Sequence, residues 1–140
     1  MSEAQTLVLV VDDEPDLLEQ LKFVASKTTG GQVLKAASAM EAIRLIEEKD
    51  FDLVITDLRM ETDEAGLDVI KAAREKDLWT QVILVTAYQM PEVIAKGAYD
   101  YVSRTDSGNY LQRLEKLIPQ ALERRWRKQK EEADAKVGTY

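Results

Sequence analysis

The chain of 140 residues has no cysteine and no histidine. The first absence excludes disulfides and thiolate metal sites. The second removes imidazole acid–base catalysis and means that the chain cannot carry a phosphohistidine of its own. Long apolar runs are missing too. The run near the N-terminus is too short for a signal peptide and has no basic stretch before it, and nothing approaches a membrane span. A soluble, intracellular, cytoplasmic protein without a membrane partner is the expectation. Neither G-x-G-x-x-G nor a P-loop occurs, which disfavours nucleotide binding.

What is present is a globular composition, 45% hydrophobic, of a length that fits one domain with a single core. Formal net charge is −7, so nucleic acid is a poor partner for the surface as a whole. The charge is uneven: residues 107–140 carry 8 basic and 5 acidic side chains, against 11 and 21 in residues 1–106. Two kinds of segment alternate along the body. Short runs rich in β-branched residues, "TLVLVV" (6–11), "VLKAA" (33–37), "DLVITD" (52–57), "QVILVT" (81–86) and "YDYVS" (99–103), read as strands. The first, third and fourth have the continuous apolar character of strands buried on both faces.

Helical patterns lie between them. Pro15 suits a first helical turn ahead of Leu17, Leu18, Leu21, Val24 and Ala25, and Gly30 and Gly31 close that helix. Ser38 and Glu41 form a capping box before Ala42, Ile43 and Ile46. Leu67, Ile70 and Ala73 mark a third helix; Leu111, Leu114, Ile118 and Leu122 mark the last. This order predicts an α/β fold, a doubly wound parallel sheet of five strands. Ligands in such sheets bind at the carboxyl ends of the strands. Asp12 and Asp13 end the first strand, Asp57 the third and Thr86 the fourth, and Arg104 follows the fifth.

Adjacent carboxylates at the end of a buried strand repel unless a cation meets them. On its own the pair reads either as a metal site or as a solvated acidic loop. Convergence with Asp57 favours a hard divalent cation, Mg²⁺ rather than Zn²⁺ given all-oxygen ligands. One carboxylate is then a candidate nucleophile toward phosphorus, and Asp57, on the middle apolar run, is the choice. Arg104 and Thr86 supply a charge and a hydroxyl for phosphoryl oxygens.

"VVDDEPD", "VITDLRM", "VTAY" and "KGAYDYVSR", in this order, resemble the receiver domain of two-component response regulators over about residues 5–122. The resemblance implies a flavodoxin-like strand order 2-1-3-4-5, with Asp57 as phosphoacceptor. It also implies Mg²⁺ held by Asp12, Asp13, Asp57 and the backbone carbonyl of Arg59. Thr86 would bond the phosphoryl group, and Tyr101 would be the aromatic that swings inward on activation. The donor would be phosphohistidine on a histidine kinase or a histidine phosphotransfer protein. The chain would then be no enzyme, promoting only its own phosphorylation and dephosphorylation.

Three features depart from that family's pattern. Arg104-Thr105 stands where Lys-Pro is usual, exchanging a point charge for a planar fork. Thr86 and Gly97 lie only eleven positions apart, with Pro91 between them, so the fourth helix is expected to be short or missing and partner contacts to move toward the last helix. "RMETDEAGL" is longer than usual and reads first as a flexible acidic loop, with Glu61, Asp63 or Glu64 as extra charge near the metal the alternative; Tyr88 is bulky enough to restrict water. Residues 123–140 read as a basic helical extension or linker, leading to a downstream domain or a homodimer, with Pro119 kinking or restarting its helix. Direct nucleic-acid contact through Arg124, Arg125 and their neighbours is disfavoured. The alternative function is a phosphorylation-independent pseudo-receiver, an interaction or dimerisation module.

Overall fold

The computed structural model describes residues 5–87, 97–98, 100–104 and 109–137. Five strands, β1 (Leu7–Val11), β2 (Gln32–Ala36), β3 (Leu53–Asp57), β4 (Gln81–Thr86) and β5 (Asp100–Ser103), pair in parallel in the order β2-β1-β3-β4-β5. Among the described residues four helices cover them: α1 (Pro15–Thr29), α2 (Ala39–Glu48), α3 (Ala65–Lys76) and α4 (Tyr110–Val137). The expected short or missing helix between Thr86 and Gly97 falls outside the described residues, as do Tyr88, Pro91 and Thr105.

Strand periodicity divides the core. Leu9, Val11, Val54, Val82 and Leu84 point to one face and pack with Ile46, Val69 and Ile70 of α2 and α3. Val8, Val10, Ile55, Ile83 and Val85 point to the other and meet Leu21 and Val24 of α1 with Leu114 and Ile118 of α4. Both faces are covered, which is why the strand sequences are continuously apolar instead of alternating. β2, at the edge, is only partly buried.

Local signals end the elements as the sequence suggests. Gly30 takes φ 65°, the left-handed conformation that closes α1, and its N–H bonds to the Ser26 carbonyl. Ser38 Oγ accepts from the Glu41 amide at 3.1 Å, while Glu41 Oε1 reaches back to the Ala37 amide, one residue before the cap. Pro119 sits inside α4, which runs through it without restarting. Its missing N–H removes the i→i−4 bond to the Glu115 carbonyl.

The far end of α4 is tied to the body. The Arg125 side chain is buried, with Nε 2.9 Å from Asp52 Oδ1 and Nη1 3.1 Å from Asp77 Oδ2. Trp79 Nε1 donates to Glu132 Oε1 at 2.5 Å, and Lys128 Nζ lies 5.8 Å from the Trp79 ring centroid. Arg125 is therefore engaged within the fold and not presented to a nucleic acid, and the reason is the facing carboxylates.

Candidate functional site

The site occupies the carboxyl edge of the sheet. Asp12 leaves β1 and is fully buried; its N–H bonds the Ala36 carbonyl on β2 and its Oδ1 accepts the Glu14 amide at 2.9 Å. Those bonds fix the turn from β1 into α1, whose N-terminus also favours negative charge. Asp13 follows and is exposed. Asp57 ends β3, and its Oδ1 accepts the Leu58 amide at 2.8 Å. One carboxylate oxygen from each of Asp12, Asp13 and Asp57 lies within 4.8 Å of the others.

Arg104, just past β5, faces this cluster. Its backbone N–H extends the ladder to the Thr86 carbonyl at 2.8 Å. Its guanidinium pairs with Asp12 Oδ2 through Nη2, and Nη1 stands 3.7 Å from Asp57 Oδ2. The fork thus spans two of the three acids, which a lysine ammonium does less readily. Thr86, buried at the end of β4, lies opposite Ser103 in register. Tyr101 on β5 lies opposite Leu84 and is partly buried against the α2–α3 side of the core. The Arg59 side chain is exposed on the loop leaving β3.

The electrostatics follow from burial. The carboxyl of Asp57 is pushed up to about 6, first by desolvation; Asp12 and Asp13 raise it further, while Arg104 and the Leu58 amide pull it down. Three carboxylates with one guanidinium leave a formal excess of negative charge, and oxygen donors suit a hard cation. The donor set therefore fits Mg²⁺.

The alternative reading that placed Glu61 near the metal is corrected. Glu61 turns away from a metal role and caps α2: Oε1 accepts the Ala39 amide at 2.8 Å and Oε2 the Met40 amide at 3.0 Å. Those bonds hold its carboxyl below the usual range against the opposing effect of burial. The close seat of α3 went unremarked in the sequence. A Cβ on Gly66 would come within 2.3 Å of the Asp57 carbonyl oxygen, so glycine lets α3 begin against the end of β3. The signal was the single Gly immediately before Leu67, where the third helical pattern starts.

Comparison with known proteins decides the family. Residues 8–115 match the family model described as response regulator receiver domain. The chain belongs to this family. Among curated relatives it is 34% identical over 114 residues to the alginate biosynthesis transcriptional regulatory protein AlgB of Pseudomonas aeruginosa, covering 79% of this chain and 25% of AlgB. The chain thus spans about a quarter of the length of that relative. The receiver-domain protein of Clostridium thermocellum superposes with a TM-score of 0.70 at 28% identity, covering 85% of this chain and 95% of that one. The response regulator TrrA of Thermotoga maritima, solved with Mg²⁺-BeF, gives a TM-score of 0.70 at 28% identity over 83% of this chain and 98% of its own. Among the described residues no helix is long and apolar enough to cross a membrane.

Proposed function

We propose that this receiver accepts a phosphoryl group on Asp57 from a phosphohistidine and uses it to switch protein–protein contacts. The observation that carries the reading is the meeting of three carboxylates with the Arg104 fork at one sheet edge. An Asp57 carboxylate oxygen would form the new P–O bond as the donor's P–N bond breaks. The electron pair stays on the departing imidazole, which takes up a proton. The Arg104 guanidinium and the Thr86 hydroxyl lie at the same strand ends and would receive the phosphoryl oxygens.

Asp12, Asp13 and Asp57 would hold Mg²⁺, with the Arg59 carbonyl as the fourth protein ligand that the resemblance implies. When bound, the ion supplies charge neutralisation at the phosphoryl oxygens. Tyr101, partly buried on β5, is the proposed switch aromatic. Histidine kinases or histidine phosphotransfer proteins are the proposed partners, and the protein acts on no other substrate. The proposed division is a receiver over residues 5–122 and an extension over 123–140, helical as far as Val137.

Exposure to acetyl phosphate or phosphoramidate with Mg²⁺, followed by intact mass, tests this reading. A gain of one phosphoryl that Asp57→Asn abolishes is expected. No gain, and no spectral response to beryllofluoride, would establish the pseudo-receiver instead.

A further inference from the structure

Carboxylates face the two terminal nitrogens of the Arg104 fork but not its Nε. Nη2 pairs with Asp12, yet Nε is buried and lacks a hydrogen-bond partner. Its carbon Cζ lies 5.8 Å from the centroid of the Tyr110 ring. Tyr110 opens α4 and is partly buried, and its hydroxyl donates to Gln20 Oε1 on α1. The ring is thus anchored to both helices of one layer while it meets the guanidinium.

An arginine side chain has many rotamers and a planar, weakly hydrated head that stacks well on an aromatic face. To serve two carboxylates, and then phosphoryl oxygens at the same place, the head must be confined to one orientation. The described contacts that confine it are the Asp12 pair, the longer approach to Asp57 and, away from the acids, the Tyr110 ring. Resting on the phosphoacceptor reading above, we propose that Tyr110 is a positioning residue for Arg104, setting how the guanidinium divides between the acidic cluster and the incoming phosphoryl group. The Tyr110–Gln20 bond makes α1 part of that support. Two consequences follow. A guanidinium held over the acids competes with Mg²⁺, and one held at the site edge is ready to take phosphoryl charge. Loss of the ring therefore relaxes the first effect and weakens the second.

The test is a double-mutant cycle on the full chain with Tyr110→Leu, Arg104→Ala and the pair, adding Tyr110→Phe. Mg²⁺ affinity is read by calorimetry, phosphorylation by acetyl phosphate through intact mass, and folding by thermal melts. Tyr110→Leu is expected to slow the maximal phosphorylation rate by about three- to tenfold, the range of a cation–π contact, and to tighten Mg²⁺ binding. Tyr110→Phe keeps the ring face and restores both toward wild type. In the Arg104→Ala background, Tyr110→Leu should change neither quantity, a non-additivity that a merely structural role does not produce. If Tyr110→Leu does not fold, Tyr110→Gln, which also lacks the ring, takes its place. Wild-type rate and affinity in the leucine variant, or effects that add fully to those of Arg104→Ala, overturn the proposal. Should wild type gain no phosphoryl group, the phosphoacceptor reading falls by itself; the Mg²⁺ isotherms still decide the role of Tyr110, unchanged affinity in Tyr110→Leu overturning it.

Discussion

Asp57 concentrates the electrostatic tension of the molecule in one carboxyl. Its folded value, about 6, lies above the ordinary 3.8, so the folded state binds the proton more tightly than the unfolded chain does. The sign follows: this group favours folding most at low pH, and its contribution is lost as pH rises from about 4 to about 6. Above that range the penalty is on the order of 2 kcal/mol without a bound cation. Asp57→Asn is expected to raise metal-free stability by about 1–3 kcal/mol at pH 7.5 and to leave it nearly unchanged at pH 4, as measured by urea unfolding. A cation at the three acids needs the Asp57 carboxylate deprotonated. Mg²⁺ affinity measured by calorimetry should therefore be flat above pH 7 and fall by up to about tenfold per unit below pH 6. An affinity independent of pH between 5 and 7 would contradict the assigned environment of Asp57.

At the scale of elements, a loop and a glycine set how closely the helices approach the site. Glu61 bonds two free amides at the start of α2, groups that a helix N-terminus leaves unsatisfied. Glu61→Ala should cost about 1–2 kcal/mol in thermal or denaturant unfolding while leaving Mg²⁺ affinity unchanged; a loss of Mg²⁺ affinity would return Glu61 to the metal site. Gly66→Ala places a methyl against the Asp57 carbonyl. It should destabilise by about 1–3 kcal/mol and weaken Mg²⁺ binding, because α3 can move away only by disturbing the end of β3. The strands, the Gly30 stop and the Ser38 cap were legible in the sequence because each depends on local chemistry: burial period, backbone sign, a neighbouring hydroxyl. The Glu61 cap was not, since a carboxylate between β3 and α3 reaches the N-terminus of a helix some twenty residues earlier, and only the folded chain brings them together. Asp12, Asp57 and Arg104 were legible because parallel topology sends every strand end to one edge. The span of Arg104 across two acids was not, since the reach of its side chain depends on Tyr110 and α1.

At the scale of the whole molecule, the two edges of the sheet carry different chemistry. The carboxyl edge gathers acids around one guanidinium; the opposite edge binds the end of α4 through Arg125, Asp52 and Asp77. The sequence showed that tail as a basic helical extension but not its clasp, since the carboxylates that bury Arg125 lie far away along the chain. Removing Arg125 takes away the cation shared by two partly buried carboxylates, leaving, among the described residues, only Arg74 near Asp77, so Arg125→Met should lower stability by about 1–3 kcal/mol and alter Trp79 fluorescence as the Glu132 contact loosens. An unchanged melt and an unchanged emission spectrum would show that the clasp contributes nothing. Mg²⁺ affinity should hold in that variant, because the two edges share no side chain. Phosphorylation at the other edge has a direct chemical test. Phosphorylated protein is reduced with borohydride, which converts an aspartyl phosphate to homoserine, and is then mapped by peptide mass spectrometry. Homoserine at position 57 alone, formed only when phosphodonor and Mg²⁺ were both present, is the predicted result; an intact aspartate at 57, or reduction at Asp12 or Asp13, would contradict it.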